Sequence, residues 1–158
     1  MKIRNLKEDD IHEIRNFVNL CKPLGLHTAF TYWVLAKYFN NICFVAEDQN
    51  AIAGLLTSIK CSVNDNLIYL WQIGISPQHR RKQYASLLVK KLVDSAIQIG
   101  VKHIQFSIAD ENIASYEMFS GFAEENGLTM RKIDKLYFND SLTDTSEFEH
   151  IYEYVITK

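Results

Sequence analysis

A polar, basic loop between an apolar strand pattern and an amphipathic helix pattern is the feature that most constrains this fold. The strand pattern covers residues 67–75, the helix pattern covers residues 84–99, and the loop contains Arg80, Arg81 and Lys82. Backbone N–H groups at a helix start lack intrahelical partners, and the helix dipole favours negative charge there. This order of elements predicts an anion site that would fit a pyrophosphate. Taken alone, the loop is also consistent with a solvated basic turn.

Hydrophobic periodicity assigns most of the remaining chain to helices and strands. Residues 130–140 show no clear pattern, and no linker, repeat or low-complexity segment interrupts the sequence. Residues 1–158 are therefore expected to form one domain, an α+β fold around one mixed sheet. The predicted helices cover residues 9–21, 28–39, 84–99 and 110–125, and the predicted strands cover residues 2–6, 42–46, 51–62, 67–75, 103–108 and 148–157.

Charge and cysteine content exclude several classes of protein. The chain has 17 Lys and Arg against 19 Asp and Glu, a net charge of −2, whereas nucleic-acid-binding proteins are usually basic. No apolar stretch reaches the ~18 residues of a membrane span, and the charged start does not resemble a signal peptide. The 5 histidines are scattered and the 3 cysteines lack CxxC spacing, which disfavours a metal site. We therefore expect reduced thiols, a cytoplasmic location, no metal, and no nucleic-acid or membrane partner.

The basic loop and its flanks carry a family resemblance. Residues 76–85 read Ser-Pro-Gln-His-Arg-Arg-Lys-Gln-Tyr-Ala. This string resembles the acetyl-CoA-binding motif of the GNAT superfamily of N-acetyltransferases, with Arg80 and Ala85 at matching positions and Gln83 at the position of the central glycine. Glycine there lets the backbone approach a phosphate closely. Gln83 is therefore expected to weaken cofactor binding or to shift the loop.

The resemblance implies a GNAT fold, in which a single mixed, mostly antiparallel sheet is flanked by about four helices, and acetyl-CoA as cosubstrate. Asn112 and Ser115 match an Asn-x-x-Ala/Ser stretch whose asparagine contacts the pantetheine arm. Phe119 stands where many members have a tyrosine that protonates the leaving thiolate, and Tyr116 is expected to face elsewhere. The residues implied to contact the cofactor are Ile73, Ile75, Arg80, Arg81, Lys82, Gln83, Tyr84, Ala85, Ser86, Asn112, Ser115 and Phe119.

Five further segments, residues 24–32, 41–47, 70–73, 119–123 and 149–153, share a second pattern. They resemble the L-2,4-diaminobutyrate acetyltransferase branch of the superfamily. Two positions that carry acids in the branch are neutral here, which implies a weaker preference for a second ammonium group. Restoring one acid by Gln105→Glu is therefore expected to lower the KM for diaminobutyrate. The residues implied to converge around the acceptor are Gly25, Thr28, Phe30, Tyr69, Trp71, Gln105 and His150, of which Gly25 and Gln105 occupy the acid positions.

Acetyl transfer from a thioester to an amine sets three chemical requirements. The amine must lose a proton, because an alkyl ammonium has a pKa of about 10, and His150 is the predicted base; a surface histidine is the alternative. The oxyanion needs a donor, and the resemblance implies the backbone N–H of Ile73. Coenzyme A leaves as a thiolate with little help, since a thiol has a pKa of about 8.5. In regular strands Glu153 points to the face opposite His150, and Gln72 to the face opposite Trp71.

We therefore predict an acetyl-CoA-dependent N-acetyltransferase that acts on a primary amine of a small amino-acid-like molecule. Two alternatives stay open. One is a GNAT enzyme for another amine, such as a polyamine, an antibiotic or a protein N-terminus. The other is a non-catalytic module that binds acyl-CoA. The aromatic second helix, residues 28–39, is consistent with a lid or with a partner surface, including that of a homodimer.

Overall fold

The computed structural model describes residues 1–140 and 145–156. These residues contain four α-helices and a seven-stranded sheet, so the predicted α+β class is confirmed. The helices are α1 (Ile11–Leu20), α2 (Ala29–Tyr38), α3 (Tyr84–Gln98) and α4 (Ile113–Glu125). The strands are β1 (Lys2–Asn5), β2 (Phe44–Asp48), β3 (Ala51–Lys60), β4 (Leu67–Ile75), β5 (His103–Ala109), β6 (Thr129–Asp140) and β7 (Thr145–Val155).

The sheet has the order β1-β2-β3-β4-β5-β7-β6, and every pair is antiparallel except β4 with β5. Helices α1 and α2 bury one apolar stripe against one face, with Phe17 and Tyr32 in that core. Helices α3 and α4 cover the other face, with Leu88 and Phe119 in the second core. We call these the α1–α2 face and the α3–α4 face. Within the described residues, every helix is too short or too polar to cross a membrane.

Strand β6 covers residues that the sequence analysis left unassigned. Its side chains at residues 131–139 are exposed, so no alternation of apolar and polar residues marks it. Pairing along β7 holds the strand instead. Two boundaries also differ from the prediction. Strand β7 begins at Thr145 rather than at residue 148, and α4 begins at Ile113 because Asn112 caps it by accepting from the backbone N–H of Ser115 at 3.1 Å.

Strands β4 and β5 separate part-way along their length. Their parallel register ends at the pair of Leu70 with Phe106, while both strands continue further. Opposite β3 the register skips Trp71, which is an extra residue in β4 and forms a β-bulge. A bulge bends its strand, which accounts for the divergence. We call the opening between residues 71–75 and residues 107–109 the fork.

Candidate active site

The fork exposes backbone groups of β4. The Ser76 N–H donates to the Ala53 carbonyl on β3 at 2.9 Å. In an antiparallel ladder the backbone groups of successive residues point alternately toward and away from the partner strand. Because the Ser76 N–H points toward β3, the backbone N–H and carbonyl groups of Ile75 and Ile73 point away from β3 and into the fork. The Arg80 Nε donates to the Ile75 carbonyl at 3.5 Å, as this direction requires. The Ile73 N–H is thus free to meet a group held in the fork.

The basic loop keeps the backbone conformation that the glycine motif serves. Arg81 and Gln83 have positive φ angles of 61° and 63°, and Gln83 is the N-cap of α3 without a side-chain hydrogen bond to the helix. A non-glycine residue in this region costs about 1 kcal/mol. Ala85 and Ser86 follow in the first turn of α3, where backbone N–H groups lack intrahelical partners. This helix start can therefore donate several hydrogen bonds to an anion.

The cations of the loop are available for a ligand. Arg80, Arg81 and Lys82 are exposed. In the part of the chain that the structure describes, none of the three forms a salt bridge. Positive charge that no carboxylate neutralises, beside an uncapped helix start, is the arrangement that binds phosphate groups.

A polar cluster anchors this loop to the sheet. The Tyr84 hydroxyl donates to the Asp48 carboxylate on β2 at 3.1 Å, and His79 bridges Asp48 at 3.3 Å and Ser76 at 2.6 Å. The hydrogen bond from Tyr84 holds the pKa of Asp48 below its ordinary value, with help from the nearby positive charges. The Tyr84 side chain is buried, so of the cofactor contacts predicted for this residue only those of its backbone N–H are available.

The predicted cofactor residues at and in helix α4 differ in exposure: Asn112 lies at the surface and Phe119 lies in the core. Asn112 is exposed, and its side-chain oxygen caps the helix at Ser115, which leaves the amide NH₂ for a ligand. Phe119 is only 2 % exposed and stacks on Phe106 with the ring centroids 4.1 Å apart. Its side chain thus belongs to the core and does not line the fork, which corrects the implied cofactor contact. Tyr116, on the same helix, is 46 % exposed and carries a hydroxyl at the surface.

The predicted base lies on the α3–α4 face. His150 pairs across the strands with Ile108, and Ile108 belongs to the α3–α4 core. The His150 ring is hydrogen-bonded to Asp110, which also binds Lys135 at 3.0 Å. The ring lines a cavity of about 250 Å³ with Ile108, Ala109, Asp110, Asn112, Ile113, Tyr116 and Tyr152.

The bulge brings two neighbouring side chains of β4 to the loop between α1 and α2. The Trp71 ring lies 4.8 Å from the His27 ring. The Gln72 side chain donates to the Gly25 carbonyl at 2.7 Å and accepts from the Tyr32 hydroxyl at 3.3 Å. Simple alternation places Trp71 and Gln72 on opposite faces, and this prediction was wrong because a bulge interrupts alternation. Gln72 is 5 % exposed, and its two hydrogen bonds hold this loop in place.

Two of the implied acceptor residues have other roles. The Thr28 hydroxyl accepts from the Thr31 N–H and caps α2. Phe30 is 70 % exposed and stacks on Trp33 with the ring centroids 5.6 Å apart. Phe30 therefore lies on the outer surface of α2.

Gln105 lies beside a carboxylate on the α1–α2 face. Tyr69 pairs with Ile59 on β3, which packs against the α1–α2 core, and with Gln105 on β5. Gln105 donates to the Glu153 carboxylate at 2.9 Å, and Arg131 binds the same carboxylate. Burial raises the pKa of Glu153, but the hydrogen bonds from Gln105 and Arg131 outweigh burial and hold the pKa below its ordinary value. In the branch pattern the position of Gln105 on β5 carries an acid. In this chain a carboxylate at the same place belongs to Glu153 on β7.

The implied acceptor residues do not all meet in one cavity. Gln105 and Glu153 share the α1–α2 face, and His150 lies on the other face, as alternation along β7 requires. The structure brings Trp71 to the Gly25 loop and Tyr69 to Gln105, and it separates His150 from both groups. His150 therefore cannot contact an amine on the α1–α2 face directly.

Comparison with known proteins agrees with this geometry. Residues 11–122 match the sequence profile described as Acetyltransferase (GNAT) family. The chain belongs to this family. Two curated relatives are both L-2,4-diaminobutyric acid acetyltransferases. That of Halalkalibacterium halodurans is 28% identical over 65% of this chain and 54% of its own length. That of Vibrio parahaemolyticus is 23% identical over 78% of this chain and 68% of its own length.

Solved structures of GNAT proteins share the whole fold. The diaminobutyrate acetyltransferase from Paenibacillus lautus, in complex with L-2,4-diaminobutyric acid and coenzyme A, gives a TM-score of 0.88 at 22% identity, covering 99% of this chain and 96% of that chain. The ribosomal-protein-S18-alanine N-acetyltransferase from Escherichia coli gives 0.79 at 13% identity, covering 99% and 95%. At these identities the likeness establishes the fold. The match to the Halalkalibacterium protein spans about half of that relative.

Sequence reasoning missed the residues that act across the fold. Asp48 anchors the basic loop from β2, and Tyr32 and Gln72 fix the α1–α2 loop. Each of these partners is more than 30 residues away along the chain, so no local spacing reveals them. The sequence does carry a signal for two other acids. Glu149 and Glu153 lie four residues apart in a strand pattern, so their side chains share one face of the sheet.

Proposed function

We propose that this GNAT-family chain transfers the acetyl group of acetyl-CoA to a primary amine of a small amino-acid-like molecule, with L-2,4-diaminobutyrate as the first acceptor to test. The observation that carries the proposal is the fork. It presents the Ile73 and Ile75 backbone groups beside an uncapped helix start and three exposed cations that form no salt bridge with any residue the structure describes. Diaminobutyric acid acetyltransferases among the relatives favour this acceptor.

The proposed cofactor contacts follow from the charges and free N–H groups. The first-turn N–H groups of α3 and the side chains of Arg80, Arg81 and Lys82 would hold the pyrophosphate. The Ile75 carbonyl and the Asn112 amide would bind the amides of the pantetheine arm. This arm would then lead the thioester into the fork, where the Ile73 N–H lies.

The reaction forms a bond between nitrogen and the acetyl carbon and breaks the bond between that carbon and sulfur. The Ile73 N–H would donate to the oxyanion in the tetrahedral state. Thiolate departs unaided, because its conjugate acid has a pKa of about 8.5. The Trp71 and His27 rings would lie beside the amine and reduce its hydration, which favours its neutral form. The proton that the ammonium loses would leave on the α1–α2 face, where His150 is absent, so we assign the transfer to solvent rather than to His150.

A second candidate function is a non-catalytic module that binds acyl-CoA. The residue at position 119 favours it, because phenylalanine has no hydroxyl at the position where many family members have a tyrosine that protonates the leaving thiolate. The same fork would bind the cofactor in both cases. The two functions differ in whether acetyl-CoA is consumed.

Thiol release from acetyl-CoA distinguishes these functions. The chain is incubated with acetyl-CoA and with 2,4-diaminobutyrate, a polyamine, an aminoglycoside or a peptide with a free N-terminus. Acetylated diaminobutyrate, identified by mass spectrometry, supports the proposal. Turnover of another amine alone would replace the acceptor. Coenzyme A binding without turnover of any of these amines would favour the module.

A further inference from the structure

Glu149 lies at the end of the fork on the α1–α2 face. It pairs across the strands with Ala109, the last residue of β5. Alternation along β7 places it on the same face as Glu153 and on the face opposite His150. Because Glu153 pairs with Gln105, whose other neighbour is Tyr69, all of these side chains belong to the side where α1 and α2 pack.

Hydroxyl groups connect Glu149 to the point where the strands separate. The Tyr69 hydroxyl donates to the Ser107 Oγ at 3.1 Å, and the Ser107 side chain lies near enough to the Glu149 carboxyl to lower its pKa. Ser107 directly follows Phe106, the last β5 residue that pairs with β4. The carboxylate thus lies beside the fork, where the proposed reaction takes place.

Within the described residues the Glu149 carboxylate forms no salt bridge, and the neighbouring His150 only partly offsets its surroundings by lowering its pKa. The side chain is half-buried, and burial raises its pKa. Among the residues that the structure describes, no Lys, Arg or His nitrogen lies within 4.0 Å of its carboxylate. Its neighbour Glu153, by contrast, is bound by Arg131. Glu147 lies two residues away on the same face and adds negative charge.

A half-buried carboxylate without a cation is costly, and an ammonium group would relieve that cost. The proposed reaction brings a cationic molecule to this place. We propose that Glu149 binds the second ammonium group of a diamino acceptor and so makes the enzyme prefer acceptors with two amines over matched monoamines. This inference rests on the proposed acetyltransferase function. In this inference a residue of β7 selects for the second positive charge of the acceptor. The two positions that carry acids in the diaminobutyrate branch are neutral in this chain, as Gly25 and Gln105.

The test compares two acceptors of the same carbon skeleton. The values of kcat/KM are measured for 2,4-diaminobutyrate and for the monoamine, 2-aminobutyrate or 4-aminobutyrate, that keeps the nitrogen found acetylated by mass spectrometry, and their ratio is the preference for the second amine. Glu149→Gln should lower this ratio about 10- to 100-fold, the effect of one charge-assisted hydrogen bond. Glu147→Gln, which removes the same charge from an exposed neighbour, should change it less than about 3-fold. Glu149→Asp, which keeps the charge, should retain most of the preference if Glu149→Gln unfolds.

The outcomes separate this inference from the proposed function. A wild-type chain that acetylates no amine would overturn the proposed function itself. A wild-type chain that acetylates both acceptors, with a ratio that Glu149→Gln leaves unchanged or that Glu147→Gln lowers equally, would overturn the role of Glu149 alone. A ratio near one in the wild type would do the same.

Discussion

Replacing Gln105 by glutamate would put two carboxylates side by side on the α1–α2 face. The Gln105 amide donates to Glu153 at 2.9 Å, and Glu153 is 5 % exposed. The sequence analysis expected this substitution to lower the KM for diaminobutyrate. That prediction for KM stands, and the structure adds a consequence for stability, because the new carboxylate would lose the hydrogen bond to Glu153 and repel it.

The size of the effect follows from the distance between the two groups. Like charges at the 2.9 Å of the present hydrogen bond repel by about 6 kcal/mol at an effective dielectric constant of about 20. Protonating one carboxyl at pH 7 costs about 4 kcal/mol, from an ordinary pKa of about 4.3 and about 1.4 kcal/mol per pKa unit. The variant should therefore share one proton between the two groups and lose about 3–4 kcal/mol of stability at pH 7, once the new hydrogen bond returns about 1 kcal/mol.

The loss has a defined dependence on pH. In the variant the folded pair has a raised pKa, so the folded state binds more protons than the unfolded state above about pH 4. Stability relative to wild type should fall as the pH rises, and the difference should vanish near pH 4. For a chain of this length, about 3 kcal/mol corresponds to a Tm lower by about 6–12 °C.

Thermal unfolding of the two proteins at pH 5 and at pH 8 measures this effect. Gln105→Leu is the matched control, since it removes the hydrogen bond without adding a charge and should show a much weaker dependence on pH. A Tm difference between Gln105→Glu and wild type that is the same at both pH values would refute the reasoning.

Three further substitutions test the cofactor side of the account. Gln83→Gly should raise the free energy of unfolding by about 1 kcal/mol, because φ is positive at this position, with coenzyme A affinity equal or better; a lower stability in denaturant melts would contradict it. Arg80→Ala should weaken coenzyme A binding by about 1–2 kcal/mol, and an unchanged Kd in calorimetry would count against the loop as the pyrophosphate site. His150→Gln should keep kcat within about 3-fold of wild type, whereas a loss of about 100-fold or more would restore His150 as the base.

The sequence predicts the elements of this fold better than it predicts the side-chain partners. Local patterns identify β4, the basic loop and α3, because periodicity, cations and a helix start all lie within a short stretch of chain. Strand β6 escapes prediction because its exposed side chains carry no alternation and its partner β7 determines its structure.

The candidate site divides in the same way. The basic loop and the helix start that follows it are local, and their positions could be predicted. The arrangement around the acceptor depends on the bulge at Trp71 and on cross-strand pairs such as Gln105 with Glu153, which no spacing along one strand encodes. The position of His150 is the clearest case. Its chemistry suits a base, but the register of β7 with β5 decides which face it occupies.

Calorimetric titration of the chain with coenzyme A tests the central claim most directly. In the proposed function, coenzyme A binds the fork, the uncapped start of α3 and the three loop cations together. The account predicts saturable binding of one coenzyme A per chain, weakened by rising salt because the pyrophosphate contacts are charged. An absence of binding at millimolar coenzyme A would contradict the account, since acetyl transfer requires this site.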